Sequence, residues 1–167
     1  MANLDEQATA FVASLQARRE DRGLMANLRR GFSEATADRA WPYLARWCNL
    51  ENSRERTIFQ TVAASFAFNP ESVSKGNMGT TMHRLATGDG RGHDGLETFE
   101  TRFRRFLSCD TVFEVCDRLP TVIRTTQAKG VAINHEELFK DLHYWGDRVK
   151  VRWANAYWGN LREEETT

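Results

Sequence analysis

Apolar residues recur along this chain at spacings of three and four and never in sustained alternation, so the pattern predicts helices and no strands. The clearest stripe runs from Ser53 to Phe68, where Ile58, Phe59, Val62, Ala63 and Phe66 share one helical face. Asn52, with Glu55 three residues on, resembles a capping box, and Pro70 lies just past the far end. An earlier helix is predicted from Asp5 to Arg19, with Ala8, Phe11, Val12 and Leu15 inward. A shorter one follows from about Leu24 to Arg30, stopped by Gly31, and a third from Ala37 to Trp47, which Pro42 either begins or bends.

Residues 69–79, rich in Asn, Ser and Gly, read as a loop, and a short helix is predicted from Thr80 to Ala86. Four glycines among residues 87–95 make a flexible connector. It is the expected hinge of a single domain over 1–167, between an N-terminal lobe of about 5–87 and a C-terminal lobe of about 94–160. Asp94 with Glu97 repeats the capping pattern and starts a helix bearing Phe99, Phe103 and Phe106 on one face. The next helix, from about Thr111 to Ala128, is stopped by Gly130 and expected to kink at Pro120. The last begins at Asn134 and is expected to run unbroken through Leu138, Leu142, Trp145, Val149, Trp153 and Ala156. The fold class expected is all-α, a compact bundle of about eight helices.

A chain of 167 residues buries enough surface to fold without disulfides or metal. Its 23 basic and 23 acidic residues cancel, which argues against a free-standing, highly basic nucleic-acid binder but leaves local patches open. With four lysines, the other 19 of those 23 cations are arginine, whose planar fork suits phosphate and carboxylate. Glu163, Glu164 and Glu165 concentrate acid at the end, so without the last five residues 23 basic face 20 acidic residues. No apolar run is long enough for a membrane helix, and Met1 to Glu6 show no secretory pattern. Three cysteines form no paired framework, so a reducing cytoplasm is expected.

Catalytic and metal motifs are weak. Gly90 to Gly95 spells G-x-G-x-x-G, but no buried strand precedes it, and it reads as hinge. His135 and His143 stand eight apart without an H-E-x-x-H pattern, and Cys109 and Cys116 fit no zinc spacing, so no metal or cofactor is expected. No local motif gathers a nucleophile with a base. The five tryptophans read first as core, and as base-stacking platforms only where a ring is exposed. The arginine clusters carry more information. Arg29 and Arg30 close a short helix, and Arg54 and Arg56 open another. Arg102 and Arg105 flank the phenylalanine stripe on one side, with Arg104 on the other. Arg148, Lys150 and Arg152 fall near the C-terminal end. These clusters fit either a segregated basic face or a set of salt bridges.

The order of several blocks resembles the CasB family, the small subunit of the type I-E CRISPR surveillance complex called Cascade. The blocks are Asp21 to Arg30, Trp41-Pro42-Tyr43-Leu44, Val62 to Ala67, Asn77 to Ala86, Glu100 to Leu107, and Ile133 with Leu138 to Trp145 and Val151 to Ala154. Thr101 stands where the family often has the first Arg of a pair, and Met78 replaces the commoner Leu before Gly79. The resemblance implies an all-helical, non-catalytic subunit, present in two copies beside other Cascade subunits. It also implies contact with the CRISPR guide RNA, the target DNA and the displaced DNA strand. It points to Arg29, Arg30, Arg54, Arg84, Arg102, Arg105, Arg148 and Arg152 as phosphate contacts. Two other readings stay open: a helical adaptor whose arginines pair with acids of partner proteins, and an unrelated helical enzyme using scattered residues.

Overall fold

Short polar side chains set most helix starts. Asn3, Asp21, Asn52, Asn77, Thr111 and Asn134 each accept a backbone N–H two or three residues further on. Each such cap is worth about 1 kcal/mol. The computed structural model describes residues 3–88 and 93–159. Among them are nine helices: α1 (Leu4–Ala17), α2 (Arg22–Arg29), α3 (Trp41–Leu44), α4 (Ser53–Phe68), α5 (Met78–Thr87), α6 (His93–Leu107), α7 (Val112–Lys129), α8 (His135–His143) and α9 (Asp147–Gly159). The described residues contain no strand, only an isolated parallel bridge between Ser72 and Ile133. The fold is all-α, as the periodicity predicts.

Several boundaries differ from expectation for local reasons. The single helix expected over 134–156 is two, because the chain leaves helical geometry at Tyr144 to Gly146 before α9 begins. The expected helix over 37–47 is a 3₁₀ turn, Ala37–Arg39, followed by the short α3, in which Pro42 sits in the first turn where its missing N–H costs nothing. Gly31 does not stop the chain but lies inside a 3₁₀ turn, Arg30–Phe32. Asp94 is not a cap; it sits in the first turn of α6. The reciprocal capping box forms at Asn77, whose N–H donates to Thr80 Oγ1 at 3.2 Å. α7 runs through Pro120 and ends at Gly130, whose φ of 67° is left-handed. Residues 89–92, the middle of the expected connector and the first half of its glycine motif, lie outside the described residues.

α4 is the central helix, buried at Ile58, Phe59 and every position from Thr61 to Ala67. Phe59 meets Phe11 of α1 at 4.8 Å and Phe139 of α8 at 5.0 Å, both edge to face. α2 and α7 also pack on α4. At the other end, Phe103 of α6 stacks on Tyr157 of α9 at 4.1 Å, and the Tyr157 hydroxyl donates to the Leu96 carbonyl at 2.9 Å. α5 and α9 approach so closely that a Cβ on Gly79 would lie 2.1 Å from the Trp153 carbonyl oxygen. Buried Asn69 joins the end of α4 to α7 and the following loop, donating to Thr126 Oγ1 at 3.0 Å and the Val131 carbonyl at 2.7 Å.

Candidate nucleic-acid interface

α6 and α7 both pack against α5, and the groove left between them gathers cations that are far apart in sequence. One stretch, of about 340 Å³, is lined by Arg102, Arg105 and Arg118 with Phe106, Thr121 and Val122; Asp117 is its acid. A second stretch, of about 210 Å³, continues from Arg102 past Thr98 and Phe99 to Lys129. Helical spacing explains the arrangement: Arg102 and Arg105 lie one turn apart on the flank of α6 next to the buried Phe103 and Phe106. Arg102 also lies over the Phe99 ring at 5.9 Å. Arg104 falls on the other flank, where it pairs with Glu100 at 3.5 Å and covers the Trp158 ring. Among the described residues, no carboxylate pairs with Arg102, Arg105 or Arg118. The Arg118 guanidinium instead reaches the buried Cys109 thiol, whose pKa burial raises and Arg118 opposes.

On another flank of α7, Arg124 approaches the Phe68 ring at 5.2 Å, and Arg29 approaches the same ring at 5.9 Å. Phe32 stacks on Phe68 at 5.3 Å. Arg29 is partly committed to the fold, because its Nε donates to the Ala67 carbonyl at 3.0 Å near the C-terminus of α4. Arg30, one residue on, is exposed, with no ion pair among the described residues. Arg84 is likewise exposed, on α5, and shares neither the groove nor the Phe68 cluster.

The remaining three predicted arginines lie on or against α8 and α9. Arg54 donates to the His143 carbonyl at 2.6 Å, which caps the C-terminus of α8. Arg148 is exposed and without an ion pair among the described residues. Arg152 donates to Asp141 Oδ1 at 3.3 Å, and the Trp153 indole N–H to Asp141 Oδ2 at 2.8 Å. Asp141 is 1% exposed while Arg152 is 55% exposed, so the arginine is tethered at one corner and otherwise open. Burial pushes the Asp141 carboxyl up to about 7, with Glu137 adding to the shift and the Trp153 bond opposing it. Lys150 sits 3.9 Å from Asp110 and over the Trp145 ring, and Trp145 donates to the Cys109 carbonyl at 3.0 Å. Through Cys109, which feels both Arg118 and Lys150, this edge adjoins the end of the α6–α7 groove.

The structure therefore brings Arg102 and Arg105 into one groove, ties Arg54 and Arg152 separately to α8, with Arg148 exposed on the neighbouring α9, and leaves Arg29, Arg30 and Arg84 elsewhere. Arg118, Arg124 and Lys129 stand alone in the sequence and become part of a basic surface only when α7 is laid beside α6 and α2. Among the described residues no group of three or more His, Cys, Asp and Glu is placed to hold a metal ion. No helix among them is long and apolar enough to cross a membrane.

Comparison with known proteins identifies the fold and the family. The family profile for CRISPR-associated protein Cse2 matches residues 24–158. A chain of a CRISPR RNA-guided surveillance complex superposes with a TM-score of 0.76 at 22% identity, covering 98% of each chain. CasB from M. ruber gives a TM-score of 0.75 at 23% identity, over 96% of this chain and 97% of that one. A CRISPR-associated protein of the Cse2 family from Thermus thermophilus gives 0.71 at 22% identity, over 91% and 97%. No curated protein matches by sequence. At these identities the solved structures attest the helical fold, and the profile match, over most of the chain, attests the kinship. The chain belongs to the Cse2 family of CRISPR-associated proteins, also called CasB.

Proposed function

We propose that this protein is the non-catalytic small subunit of a type I-E CRISPR surveillance complex, holding the backbone of the guide–target hybrid and of the displaced strand. It works in the cytoplasm, beside other subunits and a second copy of itself. The observation that carries the reading is the convergence of Arg102, Arg105 and Arg118 in one groove, with Asp117 as its acid and no carboxylate pairing any of the three among the described residues. Exchanging a DNA duplex for a guide–target hybrid is nearly balanced in free energy, so a modest protein–backbone contribution tips it. Base pairing supplies the sequence information; the subunit needs only phosphate and shape. Guanidinium groups on the two helices supply bidentate bonds to phosphate whatever the sequence.

Zero net charge suits this role. A strongly basic chain would hold any nucleic acid, whereas a neutral one with a local groove engages firmly only where neighbouring subunits present the hybrid at high effective concentration. Arg29, Arg54 and Arg152 serve the fold first, through Ala67, His143 and Asp141, and contribute the donors left over. The test is to assemble the complex with and without this chain and titrate matched target DNA. Loss of affinity without it, restored by adding it back, is expected. Equal affinity would leave only an architectural role.

A further inference from the structure

Among the described residues Tyr144 is the most exposed aromatic ring: it is 64% exposed, in the turn between α8 and α9, against 42% for Phe113 and 37% for Trp41. Among the described residues, no hydrogen bond, ring contact or cation engages its side chain. The turn is nevertheless fixed. The Tyr144 N–H donates to the Lys140 carbonyl at 3.0 Å, and the next residue, Trp145, turns inward and donates to the Cys109 carbonyl at 3.0 Å. A ring held out on a pinned turn loses little conformational freedom when something flat covers it.

Its surroundings are cationic. The Arg54 guanidinium lies on the carbonyl of the preceding residue, His143, at 2.6 Å. Arg148 follows four residues later, on the solvent stripe of α9 that also carries Val151, 66% exposed. That stripe lies opposite the buried Val149, Trp153 and Tyr157. Arg152 flanks it, four residues (about 6 Å) beyond Arg148. The acids near this edge are Asp147 at the start of α9, Asp141, which holds one corner of Arg152, Asp110, which faces Lys150, and Glu55, whose charge reaches His143 beside Arg54.

We propose that Tyr144 is a stacking platform for an unpaired nucleobase, with Arg148 and Arg152 holding the adjoining phosphates. A base inside a duplex has both faces covered by its neighbours, so only a single strand offers a face to an exposed ring. The α6–α7 groove differs in this respect: Phe106 is buried and Phe99 half-buried beneath Arg102, so that groove offers donors to backbone and no bare ring. The α8–α9 edge thus selects single-stranded nucleic acid, and the groove takes backbone of either form. This inference rests on the nucleic-acid reading above and sharpens it.

The test uses the full chain at low salt, with labelled oligothymidine as the single strand and a blunt RNA–DNA hybrid as the duplex. Tyr144→Ala should weaken single-strand binding by about five- to a hundredfold, the range for losing one stacked base. It should leave hybrid binding unchanged, and Tyr144→Phe, which keeps the ring, should bind like the parent. A single strand carrying 5-iodouracil should photocrosslink to Tyr144 in the parent protein. Unchanged single-strand affinity in Tyr144→Ala, or equal losses for strand and hybrid, overturns the stacking role and gives this edge to a protein partner. A parent protein that binds neither ligand at low salt also overturns the stacking role, whereas the backbone reading falls only if the assembled complex binds target equally well without this chain, so the two failures are distinguishable.

Discussion

Gly79 offers the sharpest test of the packing that positions α9 and its arginines. It lies in the first turn of α5, and an added Cβ would stand 2.1 Å from the Trp153 carbonyl oxygen and 2.9 Å from the Trp153 Cα. A comfortable carbon–oxygen approach is about 3.3 Å, so Gly79→Ala must open the α5–α9 contact by roughly 1.2 Å. The obstruction is backbone on both sides, and Trp153 is fully buried, so no flexible side-chain end can yield. Overpacking of this kind costs about 1–3 kcal/mol or more. The helix-propensity gain of alanine over glycine, at most about 1 kcal/mol, offsets only part of it. Gly23 in α2 is the control: its added Cβ would meet only Asp21 Oδ1, at 3.7 Å, so Gly23→Ala should gain up to about 1 kcal/mol. Urea and thermal unfolding of the two variants should therefore move in opposite directions. For a chain of this size each kcal/mol shifts Tm by about 2–4 °C. A Gly79→Ala protein as stable as the parent would refute the close approach, and with it the placement of Arg148 and Arg152.

Further outcomes follow from single side chains. His135 is buried, with Nδ1 2.9 Å from Ser72 Oγ, and burial lowers its pKa from 6.5 to about 4. The unfolded chain then binds the proton that the folded one refuses, so His135 removes stability as pH falls from about 6.5 to 4, by roughly 3 kcal/mol in all. Asp141 has the opposite sign: its raised pKa makes the fold retain a proton, so its contribution falls as pH rises from 3.8 towards 7. In urea titrations across this range, His135→Gln should expose the Asp141 slope, and Asp141→Asn the His135 slope. Identical pH profiles in both variants would contradict the assignment. Arg54→Ala should lower stability by about 1 kcal/mol through the lost α8 cap, even with no nucleic acid present. An unchanged unfolding midpoint would free Arg54 for a purely ligand-binding role.

The sequence discloses the fold class because most helices announce themselves locally. α4 has a polar cap, an apolar stripe and a proline beyond its end, and its bounds emerge as the pattern predicts. The break between α8 and α9 is hidden because Leu142, Trp145 and Val149 keep a helical spacing of three and four. Trp145 occupies that register only in sequence; in space its indole turns to Cys109, and Gly146 is the sole local sign of the break. The candidate site is legible only in part. Runs such as Arg104-Arg105 draw the eye, yet Arg104 is spent on Glu100 and Trp158. Solitary Arg118 and Lys129 join the groove through a pairing of α6 with α7 that no single-helix pattern encodes. A test of every cation on α7 for a shared flank would have flagged Arg118 and Lys129, eleven residues apart, together.

The most direct measurement is the salt dependence of target binding by the assembled complex, comparing the parent with Arg102→Ala, Arg105→Ala and Arg118→Ala combined. Each phosphate released should take about 0.7–0.9 from the slope of log K against log salt, so the triple variant should lose roughly two or more. An unchanged affinity and an unchanged slope would mean that the groove between α6 and α7 holds no nucleic-acid backbone.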